Sequence, residues 1–388
     1  MIVTLKDITT KITKGTTPTS IGCKFEKSGI NFIKSESLVD GKTIDKSKFA
    51  FISERTHERL KRSQIEENDI LFSMAGMFLG KTGIATAEVV PANTNQAVAI
   101  IRVDDTKANY EYVYYYLNQK SVIHTINTTS AQSAQPNINL KQIGKIKINL
   151  PDRKKQDQIV SLLSAIDLKI SNNVEINDNL EQQAAALFSS LYNRSNTGVR
   201  YTDLIQILGG GTPKTGETAY WNGNIAFFTP KDVGTPYTFI TEKTITEEGL
   251  SHCNSRLYPV NTVFVTARGT VGKVGLSGVP MAMNQSCYAL VGKETHQLLV
   301  YFYTLKAVDR LKHKASGAVF DAITTRDFDS EQIMKLSDDD AKAFLCVAEP
   351  MFQEILNNSI ENLRLSTLRD FLLPKLMSGE IDVSSVQL

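Results

Sequence analysis

The sequence ISNNVEINDNL at residues 170–180 returns 185 residues later as ILNNSIENLRL at residues 355–365. Each copy lies in a longer run whose apolar positions are spaced alternately three and four residues apart, at 159–191 and 344–376. That spacing is typical of a coiled-coil seam. The sequence therefore predicts two long helices that pair with each other.

Two consecutive asparagine layers lie in each seam, Asn173 and Asn177 in the first and Asn358 and Asn362 in the second. A buried Asn destabilises a seam but penalises a wrong register, because a displaced amide would face apolar side chains unpaired. The connectivity favours an antiparallel arrangement, since one helix leaves the first domain and the other returns from the second. Arg369 interrupts the second seam and predicts looser pairing there. The alternative is two amphipathic helices, each packed on its own domain.

The regions that precede the two helices also repeat each other. The matching motifs are Gly15-Thr16-Thr17-Pro18 with Gly210-Gly211-Thr212-Pro213, 76–83 with 269–275, and Asn95-Gln96 with Asn284-Gln285. A period this long excludes a solenoid and indicates one duplicated unit. Duplication suits a partner that itself has two halves.

The repeat and the seams predict four segments, at residues 1–151, 152–198, 199–336 and 337–388. The first and third mix short apolar strands, helices and turn residues, which indicates an α+β fold rather than a series of βαβ units. Within them we expect strands at 69–74, 97–103 and 262–266 and helices at 110–118 and 298–311. The complete prediction is two similar α+β domains, separated by two long helices that form an antiparallel coiled coil with pseudo-twofold repetition.

Charge and composition narrow the function. The net charge is +2, but the positive charge lies in the two mixed segments, while the helical segments are neutral to acidic. An anionic partner such as DNA would therefore be attracted to the mixed segments. The four cysteines and five histidines are dispersed, which argues against a metal site or a disulfide framework. The chain has no signal-peptide pattern and no apolar run of membrane-spanning length, so we expect a cytoplasmic protein with no membrane partner.

A phosphate-binding loop is the main alternative to a DNA-facing hairpin at residues 75–82. The stretch Ala75-Gly76-Met77-Phe78-Leu79-Gly80-Lys81-Thr82 follows a predicted strand and fits a loosened Walker A pattern. However, β-type residues follow it where a phosphate loop needs a helix. We therefore interpret it as a glycine-rich hairpin presenting Lys81, with Lys273 and Arg268 in the second copy. No nucleophile–base set emerges either, which favours binding over catalysis.

Polar loops provide the candidate DNA contacts, because Asn and Gln pair with adenine, Arg and Lys with guanine, and Ser and Thr with phosphates. In the first domain they are Lys14, Thr16, Thr17, Lys34, Ser35, Lys81, Asn95, Gln96 and Gln132. In the second domain they are Lys214, Thr229, Lys231, Arg268, Lys273, Asn284, Gln285 and Arg326. Each could instead be a solvated loop residue, and the two Asn-Gln pairs could be structural amides that hold a turn.

Several of these motifs, in this order, resemble the specificity subunits of type I restriction–modification systems over essentially the whole chain. The motifs that carry the resemblance are 368–381, Gly211-Thr212-Pro213 with Tyr220-Trp221, 268–272 with Asn284-Gln285, and Leu150-Pro151 with Gln156 and Ile159. The chain departs from the pattern at Ser337, where a proline is usual, and at Ala75, where the second copy has Arg268. The resemblance therefore implies a contact between an arginine and a DNA base only in the second domain, at Arg268.

The resemblance implies two target-recognition domains, each reading one half of a gapped double-stranded DNA site, joined by helical spacers that set the gap. It also implies two methyltransferase subunits, which bind S-adenosylmethionine and methylate adenine, and restriction subunits driven by ATP with Mg²⁺. On this basis the chain binds no cofactor or metal itself and is a non-catalytic specificity subunit. The alternatives are the DNA-binding part of a related methyltransferase or nuclease system, and a coiled-coil adaptor that does not bind DNA.

Overall fold

The chain divides into two units, each of which contains part of both long helices. The computed structural model describes residues 1–39, 41–130, 137–234, 236–314 and 322–383. The first unit comprises Met1–Leu168 and Leu365–Leu388, and the second comprises Lys169–Arg364. Each unit thus combines one mixed domain with segments of two helices.

The first unit is built from short strands and short helices. Its strands are β1 (Ile2–Thr4), β2 (Thr9–Lys14), β3 (Ile30–Ile33), β4 (Ala50–Ile52), β5 (Gln64–Ile65), β6 (Ile70–Ser73), β7 (Thr82–Ile84), β8 (Ala92–Thr94), β9 (Val98–Val103) and β10 (Lys147–Asn149). Its short helices are α1 (Glu54–Arg59), α2 (Tyr110–Leu117), α3 (Lys120–Ser130) and α4 (Leu140–Gly144). One sheet has the order β2-β9-β6-β7, another has the order β4-β3-β8-β5, and β1 pairs with β10.

The central strands of this unit are buried on both faces, which explains their continuous apolar sequence. Ile70 and Phe72 of β6 face a core that includes helix α2, whereas Leu71 faces a second core. In β9, Ile101 faces the core that includes α2, and Ile100 faces the second core. The strands predicted at 69–74 and 97–103 are therefore confirmed, with slightly shorter bounds.

Helix α5 (Arg153–Arg194) follows, and the second unit then repeats the design. Its strands are β11 (Thr197–Arg200), β12 (Ile205–Gly209), β13 (Trp221–Phe228), β14 (Tyr237–Thr238), β15 (Lys243–Ile245), β16 (Val263–Thr266), β17 (Val274–Ser277), β18 (Met281–Met283), β19 (Cys287–Gly292) and β20 (Gln332–Lys335). Its short helices are α6 (Tyr201–Leu204), α7 (Glu247–Ser251), α8 (Gln297–Lys314) and α9 (Thr325–Ser330). The chain then enters α10 (Asp338–Ser378).

The sheets of the second unit repeat the strand order of the first, with one strand gained in one sheet and one strand fewer in the other. The order β12-β19-β16-β17 corresponds to β2-β9-β6-β7, with β14 added at the edge, and β15-β13-β18 corresponds to β4-β3-β8. The parallel pairing of β3 with β8 recurs between β13 and β18. The duplication read from the sequence is therefore confirmed as a repeat of topology.

The two long helices pair in an antiparallel arrangement, as predicted. In the second unit, Asn173 donates to Oδ1 of Asn362 at 2.9 Å, and Asn358 donates to Oδ1 of Asn177 at 3.0 Å. The residue with the lower number in α5 contacts the one with the higher number in α10, which defines the direction. The amides therefore bond to one another inside the seam, although Oδ1 of Asn173 is buried without a hydrogen-bond partner.

The looser pairing predicted at Arg369 is wrong. In the first unit the Nη1 of Arg369 lies 2.9 Å from Oδ1 of Asp167 on the facing helix. Tyr115 donates a hydrogen bond to the other carboxylate oxygen of Asp167 at 2.5 Å. An ion pair thus replaces an apolar layer at this point, with Leu163 and Leu376 buried nearby in the same core.

None of the helices in the described part of the chain combines the length and the apolar character needed to cross a bilayer.

Candidate nucleic-acid interface

A threonine and a glutamine that lie far apart in sequence meet in each unit. Thr17 donates its hydroxyl hydrogen to Oε1 of Gln96, and Thr212 does the same to Oε1 of Gln285. Both glutamines are exposed. The Gly-Thr-Pro loop and the Asn-Gln turn are therefore held side by side in both copies.

Glycine is required for this close approach. A Cβ on Gly15 would lie 1.8 Å from the carbonyl oxygen of Thr94, and one on Gly210 would lie 2.2 Å from that of Asn284. Backbone atoms cannot yield to such a contact without moving the loop. The repeated Gly-Thr-Pro motif is thus explained by packing of one loop on another.

The asparagine of each Asn-Gln pair holds its own turn. Oδ1 of Asn95 accepts the backbone N–H of Ala97 at 3.1 Å, and Oδ1 of Asn284 accepts that of Ser286 at 3.0 Å. The structural role considered for these two amides is therefore present. The neighbouring glutamines project further outward and offer more surface to a ligand.

The glycine-rich segments are hairpins, which confirms the interpretation made against a phosphate loop. β6 pairs antiparallel with β7, and β16 with β17, so each segment joins two strands rather than opening onto a helix. The backbone N–H of Met74 donates to Ala97 at 2.8 Å, and that of Ala267 donates to Ser286 at 2.8 Å. Each hairpin therefore begins beside the Asn-Gln turn.

The loops that follow β3 and β13 lie at the same end of the sheets. Ile33 pairs with Thr94, which places Lys34 and Ser35 next to the first Asn-Gln turn. In the second unit Asn284 donates its backbone N–H to Phe228 at 3.0 Å, which places Thr229 there. Thr229 also caps its own loop, because its hydroxyl donates to Asp232 at 2.6 Å.

These segments form one surface in each unit. The first loop edge comprises Lys14–Thr17, Lys34–Ser35, Ala75–Lys81 and Asn95–Gln96. The second loop edge comprises Gly210–Lys214, Thr229–Lys231, Arg268–Lys273, Asn284–Gln285 and Thr324–Arg326. The segment Thr324–Arg326 belongs to the second loop edge because the preceding residue, Ile323, donates its backbone N–H to Ala267 at 2.9 Å. The structure thus brings together the predicted contacts, except Gln132, which lies outside the described residues.

Basic side chains dominate the charge of these edges. Lys214, Lys231, Arg268, Lys273 and Arg326 are all exposed. Lys34 lies 3.6 Å from Glu36, and Lys231 lies 3.6 Å from Glu242. Exposed ion pairs of this length contribute little energy, so they leave both cations able to attract an anion.

Two further basic residues were missed by the sequence reasoning. Arg62 donates to Oγ1 of Thr16 at 3.2 Å and so lies on the first loop edge. Lys312, at the end of α8, packs so closely on Gly272 that a Cβ there would lie 2.6 Å from its Cε. The run RTHERLKR at residues 55–62 is a basic cluster that could have drawn attention to Arg62, whereas nothing local relates Lys312 to the hairpin.

The chemical groups on the described loop edges are those of a binding surface. Among the described residues, no group of three or more His, Cys, Asp or Glu side chains is placed to hold a metal ion. Cys287 follows the second Asn-Gln turn, but burial raises the pKa of its thiol to about 12, so the thiol stays protonated and unreactive. The arrangement offers amides, hydroxyls and cations, which are groups that bind.

Comparison with known proteins gives a consistent answer. The model of the type I restriction modification DNA specificity domain matches residues 1–182 and 195–335. The specificity subunit of the type I restriction enzyme HindI of Haemophilus influenzae is 23% identical, over 70% of this chain and 77% of that protein. The MjaIX specificity subunit of Methanocaldococcus jannaschii is 32% identical over 124 residues, which are 30% of this chain and 29% of that protein.

A solved structure shares the fold. The S subunit of a type I restriction–modification system from M. genitalium aligns with a TM-score of 0.57 and 14% identity, over 97% of this chain and 95% of that one.

Proposed function

This chain belongs to the type I restriction modification DNA specificity family, and we propose that it reads a bipartite DNA site, one half with each loop edge. The observation that carries the proposal is the Thr–Gln contact made once in each unit, at Thr17 with Gln96 and at Thr212 with Gln285. A duplicated reader matches a target with two halves. The family is the DNA-recognition part of type I systems rather than the catalytic part.

The chemistry of the loop edges supports major-groove reading. Amides address adenine, and Arg268 and Lys273 can address guanine or phosphates. Phosphate contacts position a protein on DNA, whereas contacts to base edges specify the sequence. We assign the exposed glutamines and Arg268 to bases, and the remaining lysines to phosphates.

The partners follow from the family rather than from a site on this chain. We propose that the chain assembles with two methyltransferase subunits and with restriction subunits. S-adenosylmethionine, ATP and Mg²⁺ would bind to those subunits. Specificity and chemistry would then be divided between chains.

The long helices are proposed to set the gap between the half-sites. Adding one heptad to both α5 and α10 would preserve the seam and lengthen each helix by about 10 Å, at ~1.5 Å per residue. At about 3.4 Å per base pair, the recognised gap should widen by about three base pairs. A gap that stays the same would reject the ruler hypothesis.

The deciding experiment maps adenine methylation in cells that carry the partner methyltransferase, with and without this chain. Methylation at a gapped motif that appears only with this chain is the expected result. Methylation independent of the chain would overturn the proposal and favour a coiled-coil adaptor.

Charge variants locate the surface. Arg268→Ala and Lys273→Ala should weaken DNA binding by the assembled complex, and a pure phosphate contact should lower the salt slope by about one. Lys293→Ala is the matched control, because Lys293 is an exposed cation beyond the far end of β19. Equal effects of all three substitutions would place the DNA surface elsewhere.

A further inference from the structure

The tip of the hairpin between β6 and β7 has an exposed apolar side chain, to which the proposed function assigns no role. Met77 is 89% exposed, more than any other large apolar side chain that the structure describes. Single exposed apolar residues are common on protein surfaces. The environment of Met77 decides whether this one has a role.

The hairpin holds its tip in place. Leu79 donates its backbone N–H to Gly76 at 3.1 Å, and Gly80 donates to Ser73 at 3.0 Å. Leu79 is buried in the core of the first unit. Gly76 and Gly80 have φ angles of 71° and 86°, which favour glycine. The turn is thus anchored from within, and Met77 projects from a defined position.

That position is on the first loop edge. The backbone N–H of Met74 donates a hydrogen bond to Ala97, the residue after Gln96. Ala75 forms an isolated antiparallel β-bridge with Asn137. The tip begins one residue beyond this point. A ligand that contacts Gln96 and Lys81 would therefore meet Met77 as well.

The corresponding hairpin of the second unit differs in sequence and in length. Its hairpin has Arg268 where the first has Ala75, and its tip is one residue shorter, with Thr270 and Val271 in place of 77–79. Thr270 is also tied back, because its hydroxyl donates to the carbonyl of Pro230 at 3.0 Å. The second hairpin thus has the cation of Arg268 and the tethered hydroxyl of Thr270, whereas the first has the projecting thioether of Met77.

We propose that Met77 is a specificity-determining residue, which contacts the C5 methyl group of a thymine in the major groove of the half-site read by the first unit. This inference rests on the proposed function. Thymine is the base that presents a methyl group in that groove, and apolar side chains read it there. A flexible, unbranched Met can follow the methyl group without precise geometry.

The alternative use of an exposed Met is as a wedge between stacked bases, which requires the bases to unstack and is typical of minor-groove binders. The companions of Met77 are a glutamine amide and lysines, groups that suit major-groove base edges and phosphates. They favour contact with a methyl group over insertion.

The test uses the assembled complex and duplexes that carry its mapped site. Each thymine of the half-site read by the first unit is replaced in turn by deoxyuridine, which deletes only the methyl group. Loss of one buried methyl group should reduce affinity about fourfold at one position, from ~0.8 kcal/mol. Met77→Ala should bind the thymine duplex as weakly as wild type binds the deoxyuridine duplex, and Met77→Leu should keep the difference.

The controls separate the outcomes. Deoxyuridine in the other half-site should act equally on wild type and Met77→Ala. An unchanged thymine-to-deoxyuridine ratio in Met77→Ala, a first half-site without thymine, or a rise in 2-aminopurine fluorescence that Met77→Ala abolishes would each overturn the inference. Failure of the proposed function is distinguishable, because the wild-type complex would then select no gapped site.

Discussion

Asn358 donates its side-chain amide hydrogen to the Oδ1 of Asn177 at 3.0 Å, with both residues buried in the helix pair of the second unit. The contact joins positions 181 residues apart in sequence. It places a polar layer where a coiled coil would otherwise have two apolar side chains. Such a layer specifies the register in which the two helices pair, at some cost in stability.

The first prediction concerns this layer. Asn177→Leu leaves the Asn358 amide without its acceptor and should destabilise the chain by about 1–3 kcal/mol. Asn177→Leu with Asn358→Leu should recover most of that loss, because an apolar pair needs no hydrogen bond. Urea unfolding of the full chain measures both, with Asn357→Leu, at an exposed neighbour, as the control. A double variant as unstable as the sum of the single variants would contradict the pairing.

The second prediction concerns an ion pair in the first unit. Asp69 is fully buried, and Arg102 donates to its two oxygens at 2.8 Å each. Removing one partner leaves a buried charge uncompensated, so Arg102→Met should cost about 3–5 kcal/mol. The exposed pair of Lys46 and Glu88 is the control, and Lys46→Ala should change stability by less than about 0.5 kcal/mol. Equal losses in thermal unfolding would show that burial is not the cause.

The third prediction separates loop geometry from stability. A Cβ at Gly210 would lie 2.2 Å from the carbonyl oxygen of Asn284, whereas one at Gly209 would meet open space. Gly210→Ala should therefore displace the second loop edge and lower DNA affinity by at least about tenfold, the equivalent of one lost base contact. Gly209→Ala should bind as wild type does. A competitive binding assay with the assembled complex measures both, and similar affinities would reject the packing argument.

The fourth prediction concerns pH. Burial raises the pKa of Glu181, although Tyr301 donates a hydrogen bond to its Oε1 at 2.8 Å. The folded state therefore binds this proton more tightly than the unfolded chain, whose Glu has a pKa of about 4.3. This group's contribution to stability is greatest below that pKa, and it declines as the pH rises through the raised folded value.

Glu181→Gln keeps an oxygen for Tyr301 and removes the partly buried charge, so it should raise the unfolding temperature at pH 7 and lose this advantage near pH 4. Glu175→Gln removes an exposed charge from the same helix and serves as the control. Thermal unfolding between pH 4 and pH 8 checks the sign. Destabilisation by Glu181→Gln at pH 7 would contradict it.

Patterns in the sequence were sufficient to predict the helix pair and the duplication of one α+β domain. The spacing of apolar residues over 159–191 identified the seam, and Asn173 and Asn177 identified its polar layers. The strand at Ile70–Ser73 followed from an uninterrupted apolar run bounded by polar residues. Each of these signals lies within a few residues of the structure that it specifies.

Contacts between distant segments were beyond such patterns. Arg369 looked like a break in the seam because its partner, Asp167, belongs to the facing helix and lies 202 residues away. Arg62 looked like a surface charge until the fold placed it on Thr16. Charge complementarity across such separations leaves no periodic trace in the sequence.

Periodicity and repetition are properties of the chain, so two copies of one α+β design and two long paired helices could be predicted before the fold was known. The contact of Thr17 with Gln96, the need for Gly15 and Gly210 in backbone packing, and the projection of Met77 from the first loop edge became visible in the folded chain. Binding surfaces form where loops from separate strands converge. Convergence depends on sheet order and register, which residue spacing along the chain does not encode.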